Sequence, residues 1–415
     1  MFRTVNHKSA HYLAKAAVIF LLIFAMLLGD AALCLADAPV GPEEIIAQMA
    51  AAQLESPPEA PPVEIAAKAA VLMDASTGKV LIGHNQDVLV YPASVTKIMP
   101  LLLVGEALDG GKIRFSDPVT ASGAAAGKGG SQIWLKEGET MTVEELLKAT
   151  AIYSANDACT ALGEYLSGSE EGFVSMMNAR AAELGMTNTT FVNCTGLDDD
   201  TTEHLTSAYD VAVMSRELLK HDCVTQFSTI WMDSLRGGAT ELVNTNKLVR
   251  FFEGTTGLKT GTTSKAGCCV SASAKRGDTH LIAVVMGSGN SDDRFNTAKR
   301  LLNWGFANYA TVTPKIDPAL IAQVRVLCGE ERFILPKYPQ EMTVLVPKGS
   351  ENDLQQCVDL ALDVEAPVEA GQKIGTLCIT MDGEVLAEYT LTAPQAVPKL
   401  TFKTMLLRLL SALCG

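Results

Sequence analysis

No two of the ten cysteines stand in a C-x-x-C pair, so the spacing that marks a zinc ribbon or a redox dithiol is missing. Scattered as they are, they do not read as a disulfide framework. Basic residues are in deficit: 33 Lys and Arg face 47 Asp and Glu, a formal net charge of −14. That balance excludes a chain that wraps nucleic acid with a general basic face, and no nucleic-acid partner is expected. The sequence has no internal repeat. The uninterrupted apolar run Ala16–Leu28 is short of the ~20 residues a membrane span needs. What is present is 48% hydrophobic residues in a chain of 415. That is ample for a buried core, and at roughly 150 residues per domain it suggests two domains.

The ends of the chain carry addressing signals. Arg3, Lys8 and Lys15 precede the apolar run, and Cys34-Leu35-Ala36 follows with small residues where a leader peptidase cuts. Residues 1–36 therefore read as a signal peptide, and the mature chain is expected outside the cytoplasm. Residues 37–63 hold six prolines among glutamates and alanines and read as an extended tether, with a short helix expected over Ile45–Leu54. At the other end, Val397–Gly415 contains Lys399, Lys403 and Arg408 but no acidic residue. Leu400, Phe402, Met405, Leu406, Leu409, Leu410 and Leu413 would line one face. A basic amphipathic helix of this kind predicts anchorage on a membrane surface, here the outer face of the cytoplasmic membrane.

Between these ends the pattern divides in two. Ala69–Asp74 and Lys79–His84 predict a β-hairpin, as do Cys268–Ala274 and His280–Met286. Helices are expected over Val95–Leu108, Val143–Ala151, Asp157–Leu166, Glu171–Leu184, Ala208–Lys220 and Asn296–Phe306. Strands at both ends with helices between predict an α/β domain over residues 64–308, built on an antiparallel sheet. Residues 315–393 offer short strand candidates separated by Pro, Gly and Asp turns, which predicts a small all-β module.

Chemistry enters at Ser94-Val95-Thr96-Lys97. A serine hydroxyl needs a partner that takes its proton, and a lysine one helical turn on can supply an amine. A helix N-terminus at Ser94 would add N–H groups for an oxyanion. Ser76-Thr77-Gly78-Lys79 has the same spacing, but Gly78 marks a turn. Ser154-Ala155-Asn156 and Lys259-Thr260-Gly261 complete a set of three; Ser288-Gly289-Asn290 copies the second of them in a glycine-rich turn. Each motif alone has an ordinary reading as a cap, a loop pair or an edge-strand lysine. Three in this order, each at an element boundary of one domain, point to a nucleophilic serine enzyme.

Ser-x-x-Lys, Ser-x-Asn and Lys-Thr-Gly together resemble the signature of penicillin-binding proteins and serine β-lactamases. Tyr91–Met99 (YPASVTKIM), Tyr153–Ala158 (YSANDA), Asn244–Leu248 (NTNKL), Leu258–Gly267 (LKTGTTSKAG) and Arg294–Phe306 resemble serine-type D-alanyl-D-alanine carboxypeptidases. The β-module and terminal helix resemble the type-5 members of that group. The resemblance implies an acyl-enzyme on Ser94, with Lys97 as general base, Ser154 as proton relay and Asn156 holding Lys97 or a substrate amide. Lys259 and Thr260 would bind the substrate carboxylate, beside Gly261. The N–H groups of Ser94 and Thr262 would form the oxyanion hole. It implies peptidoglycan stem peptides as substrates, β-lactams as inhibitors, and no metal or organic cofactor. Lys97 must then be neutral at working pH, which burial and a neighbouring Lys259 charge would favour.

Two departures stand out. Pro100 falls inside the predicted helix, where it costs up to about 3 kcal/mol unless the helix kinks. Cys268-Cys269 is expected to point to opposite faces of its strand. A β-lactamase commonly carries a Glu-x-x-Leu-Asn stretch after the second motif, and none occurs between Asp157 and Asp210. A non-enzymatic sensor of wall fragments would have no need of a nucleophile–base pair.

Overall fold

Asp74 closes the first strand, β1 (Ala69–Asp74), and turns its carboxylate back on the chain. It accepts from the Thr77 N–H at 2.8 Å and the Thr77 hydroxyl at 2.7 Å. The chain reverses there into β2 (Val80–His84). Ser76 is a turn residue whose hydroxyl donates to Asp74, so the Ser76–Lys79 copy of the Ser-x-x-Lys spacing is hairpin chemistry. The computed structural model describes residues 62–340 and 342–414. The expected signal peptide, the helix over Ile45–Leu54 and all of the tether but Pro62 and Val63 lie outside the described residues.

Strands β3 (Thr255–Thr263), β4 (Gly267–Arg276) and β5 (Thr279–Ser288) complete a five-stranded antiparallel sheet in the order β2-β1-β5-β4-β3. Both faces are covered, so β1 is buried along its whole length. Side chains alternate across a strand. Ala69, Val71 and Met73 enter the core shared with helices α1 (Ile98–Asp109), α2 (Val143–Lys148), α3 (Asn156–Ser167), α4 (Glu170–Glu183) and α5 (Ala208–Leu218). Ala70 and Leu72 enter a second core with Phe295, Leu301, Leu302 and Phe306 of α6 (Ser291–Asn308). This is the expected α/β domain with its antiparallel sheet. Asn290 caps α6 through its side chain, accepting from the Asp292 and Asp293 N–H groups, which accounts for the Ser288-Gly289-Asn290 copy of Ser-x-Asn.

The helix expected from Val95 begins as a 3₁₀ turn, Ala93–Lys97, and becomes α-helical only at Ile98. Pro100 therefore sits in the first turn of α1, where its missing N–H has no helical acceptor to lose. The expected kink is not needed. Sequence reasoning also missed the two-stranded ladder Met232–Leu235 with Thr240–Val243, whose short strands carry no clear alternation.

The all-β module is wider than residues 315–393. Tyr309–Val312 pairs with Val344–Pro347 at its start. At its end Val397, fully buried, bridges Val368, and Lys399 bridges Gly329. The expected helix over Val397–Gly415 is accordingly shorter: α7 spans Phe402–Cys414, and Lys399 belongs to the module.

Candidate active site

The 3₁₀ turn settles how Ser94 meets Lys97. At three residues per turn, positions i and i+3 eclipse, and Lys97 Nζ lies 3.0 Å from Ser94 Oγ. Ala93, just before, takes a left-handed φ of +48°. The turn runs directly into α1, so Ser94 stands in the first turn of a helix, as expected. Lys97 is fully buried. Besides Ser94 it reaches Asn156 Oδ1 at 2.6 Å and the Thr195 carbonyl at 2.9 Å. Burial lowers its pKa from 10.5 to about 8, against opposing pulls from Cys159, Cys194 and Asp157. An amine so placed can be neutral and take a proton from the hydroxyl.

The second motif lies where α2 ends in a π-helical turn, Ala149–Tyr153, a local distortion often found at functional sites. Ser154 follows in the left-handed region at φ +68°. Its Oγ is buried without a hydrogen-bond partner among the described residues. Asn156 does not wait for substrate: its Oδ1 accepts from Lys97, and its Nδ2 donates to the Gly129 carbonyl at 2.6 Å. Of the two expected roles for Asn156, holding Lys97 is seen directly.

The third motif runs along β3, an edge strand. Gly261 is required by proximity: a Cβ there would lie 2.8 Å from the Ser94 nitrogen and 2.9 Å from that of Val95. The strand backbone can thus pass directly beside the serine turn. Lys259 is buried and donates to the Thr260 carbonyl at 3.0 Å. Burial first, then the charges of Lys97 and Arg294, hold its pKa well below the usual lysine value. Burial, one of the two causes expected, is the largest cause of the depression at Lys97, and the two buried amines repel each other. Thr260 Oγ1 donates to Thr245 Oγ1 at 2.7 Å. Thr262 is exposed. Cys268 faces Thr262 across the ladder, whereas Cys269 is buried in the first core, so the pair does divide between faces.

Several participants were not singled out from the sequence. Arg294, nearly buried, donates through Nη1 to the Gly261 carbonyl and to Thr262 Oγ1, both at 2.9 Å. Among the described residues none of Lys97, Lys259 and Arg294 forms an ion pair. His204 accepts from the Val192 N–H through Nδ1, so Nε2 carries the proton and meets Thr96 Oγ1 at 2.8 Å. Burial lowers its pKa to about 4, which keeps it neutral. Thr195 is presented by a turn that Asn193 builds, its Oδ1 accepting from the Thr195 and Gly196 N–H groups. The run Asn193-Cys194-Thr195 is thus turn chemistry.

Gly196 has φ +84°, and a Cβ there would fall 1.8 Å from the Ala93 carbonyl oxygen. Gly196→Ala is expected to lower stability by about 3 kcal/mol and to slow reaction of Ser94 by withdrawing Thr195 from Lys97. Thermal melts and acylation kinetics check this; an unchanged melt and rate would show that the turn does not seat the lysine.

Residues 52–290 match the D-alanyl-D-alanine carboxypeptidase family, and residues 309–399 match the C-terminal domain of penicillin-binding protein 5. The chain belongs to the D-alanyl-D-alanine carboxypeptidase family. As a member, it is a serine peptidase. Among relatives, the D-alanyl-D-alanine carboxypeptidase DacF of Bacillus subtilis strain 168 is 44% identical over 346 residues, covering 82% of this chain and 88% of that protein. Penicillin-binding protein 5 from Haemophilus influenzae has a similar crystal structure, with TM-score 0.72, 31% identity, and coverage of 82% of this chain and 100% of that one. Penicillin-binding protein D2 from Listeria monocytogenes, solved in its ampicillin-bound form, has TM-score 0.54 and 31% identity, covering 59% of this chain and 100% of that one.

Proposed function

We propose that this family member works outside the cytoplasm and removes the terminal D-alanine from peptidoglycan stem pentapeptides through an acyl-enzyme on Ser94. Neutral Lys97 takes the proton of Ser94 as Oγ attacks the last amide carbonyl. The N–H groups of Ser94 and Thr262 stabilise the oxyanion. Ser154, whose hydroxyl has no partner among the described residues, passes a proton to the leaving amine. Water then hydrolyses the ester and restores Ser94. β-Lactams would acylate the same hydroxyl. The single observation that carries this reading is the fully buried Lys97 amine 3.0 Å from Ser94 Oγ, with a pKa of about 8. Release of D-alanine from a purified pentapeptide tests it, and absence of release would overturn it.

Buried Lys259 and Arg294, neither with an ion-pair partner among the described residues, favour an anionic ligand, and the terminal carboxylate supplies one. Lys259, with Thr260 and Thr262, is proposed to bind it. Lys259→Ala is expected to cost about 10- to 100-fold more in kcat/KM on a free-acid peptide than on its C-terminal amide. Equal losses on the two would remove the carboxylate role.

The position of the enzyme is proposed from its ends: residues 1–36 direct export, residues 37–63 act as a tether, and α7 lies on the outer face of the cytoplasmic membrane. No helix among the described residues is long and apolar enough to cross a membrane. Phe402 is 74% exposed, and Met405, Leu406, Leu407 and Leu410 are also exposed, beside Lys403. That pattern suits an interfacial helix on anionic lipid. A cut after Thr401 spares Val397 and the Leu400 N–H bond to Cys328. Such a chain is expected to lose binding to anionic vesicles while keeping its penicillin-acylation rate; pelleting as before, or lost acylation, would contradict the anchor. For the intact chain, added salt should weaken binding.

A further inference from the structure

Trp134 is 74% exposed and holds a left-handed φ of +59°, a conformation that a bulky side chain rarely adopts. The cause is visible on either side of it. The buried Asp157 carboxylate accepts the Ile133 N–H through Oδ1 at 3.2 Å and the Leu135 N–H through Oδ2 at 3.0 Å. Gripping both neighbours sends Ile133 and Leu135 inward and leaves the residue between them pointing out. Nothing in the described fold uses the indole. Such strain persists where the surroundings over-determine it, and it clusters at ligand sites.

The indole borders an open groove of about 720 Å³, also lined by Lys136, Glu137, Glu139, Arg236 and Thr240. That size is within the ~300–1,000 Å³ of small-molecule sites. Arg236 is itself left-handed, at φ +53°. It donates to the Ile133 carbonyl, to Thr240 Oγ1 and to Glu139, yet its Nη2 is buried without a partner among the described residues. Both walls are tied to the reacting centre. On one side, Asn156 holds Gly129 and Ser131 through its Nδ2 and N–H, five and three residues before Trp134. On the other, the ladder Met232–Leu235/Thr240–Val243 runs into Thr245, which accepts from Thr260.

We propose that this groove is a saccharide subsite, in which Trp134 stacks on a pyranose ring of the glycan strand that carries the stem peptide. A pyranose presents an apolar C–H face to a ring and a rim of hydroxyl and acetamido groups to polar side chains. Lys136 and Glu137, both exposed along the groove, suit that rim, and an exposed aromatic with mixed charges suits a sugar better than an apolar peptide. The subsite rests on the peptidase reading above, and it would make the enzyme prefer glycan-linked over free peptide.

The test uses the full chain. The ratio of kcat/KM for a disaccharide-linked pentapeptide to that for the free pentapeptide is measured in wild type, Trp134→Ala and Trp134→Phe. The ratio is expected to exceed one in wild type, to fall about five- to tenfold in Trp134→Ala, and to recover largely in Trp134→Phe, which keeps a ring. Penicillin acylation reports that each variant is folded. Binding of an N-acetylglucosamine tetramer, followed by saturation-transfer NMR, is expected in wild type and lost in Trp134→Ala. An unchanged ratio, tetramer binding that survives Trp134→Ala, or an equal loss on free peptide would overturn the saccharide assignment; the last would make the groove a peptide site. If neither peptide is cleaved, the peptidase reading fails, while the tetramer titration still decides the subsite.

Discussion

Ser94→Ala is expected to abolish penicillin labelling and to lower D-alanine release on the order of 10⁶-fold, as loss of a nucleophile does in other serine hydrolases. The fold should survive. Ser94 Oγ supplies one of three acceptors for Lys97, and losing it costs about 1 kcal/mol. In a domain of this size that is roughly 2–4 °C in Tm. Stopped assays and a thermal melt on one preparation separate the two effects. A variant that melts as wild type but keeps its label would move the nucleophile elsewhere, and a collapsed melt would make the loss of activity uninformative about chemistry.

The second large effect concerns pH. A base works only when unprotonated, and Lys97 holds a pKa of about 8 because it is buried. Below that value the neutral fraction falls tenfold per pH unit, so the acylation rate should climb with pH and level off above about 8. Lys97→Met should abolish this limb and lower the rate about 10³-fold, within the range for general-base catalysis. A rate still climbing toward pH 10 would describe an ordinary solvated lysine and remove the account of how Lys97 is activated. The Lys259 proton behaves differently. A bound carboxylate supplies the anion its burial lacks, so free-acid peptides should bind with proton uptake.

Much of this site was legible in the sequence because its motifs are local. Ser94 and Lys97 are three residues apart, and Ser154 and Asn156 two; such spacings fix geometry once the element is known. The sheet was equally legible at β1, β2, β4 and β5, where apolar runs are bounded by turns. What escaped depends on contacts distant in the chain. Thr195 serves Lys97 across 98 residues, and Arg294 reaches Gly261 across 33. Neither carries a local pattern that reveals its partner. Gly196 could have been suspected from Asn193-Cys194-Thr195-Gly196, a turn-forming run, but the Ala93 carbonyl that demands a glycine there is a tertiary contact. Burial was the other unreadable quantity. Its extent at Lys97, the largest cause of that lowered pKa, is set by packing from distant parts of the chain. The end of the β-module was misread for a related reason: Val397 has the character of the first residue of an amphipathic helix until Val368 is found beside it.

The most direct measurement is intact-mass and peptide-mapping spectrometry of the wild-type chain after brief exposure to benzylpenicillin. The account predicts one adduct per chain, of the mass of the intact antibiotic, on the peptide that contains Ser94. An adduct on the peptide that contains Ser76, or a protein that remains unmodified although folded, would contradict it.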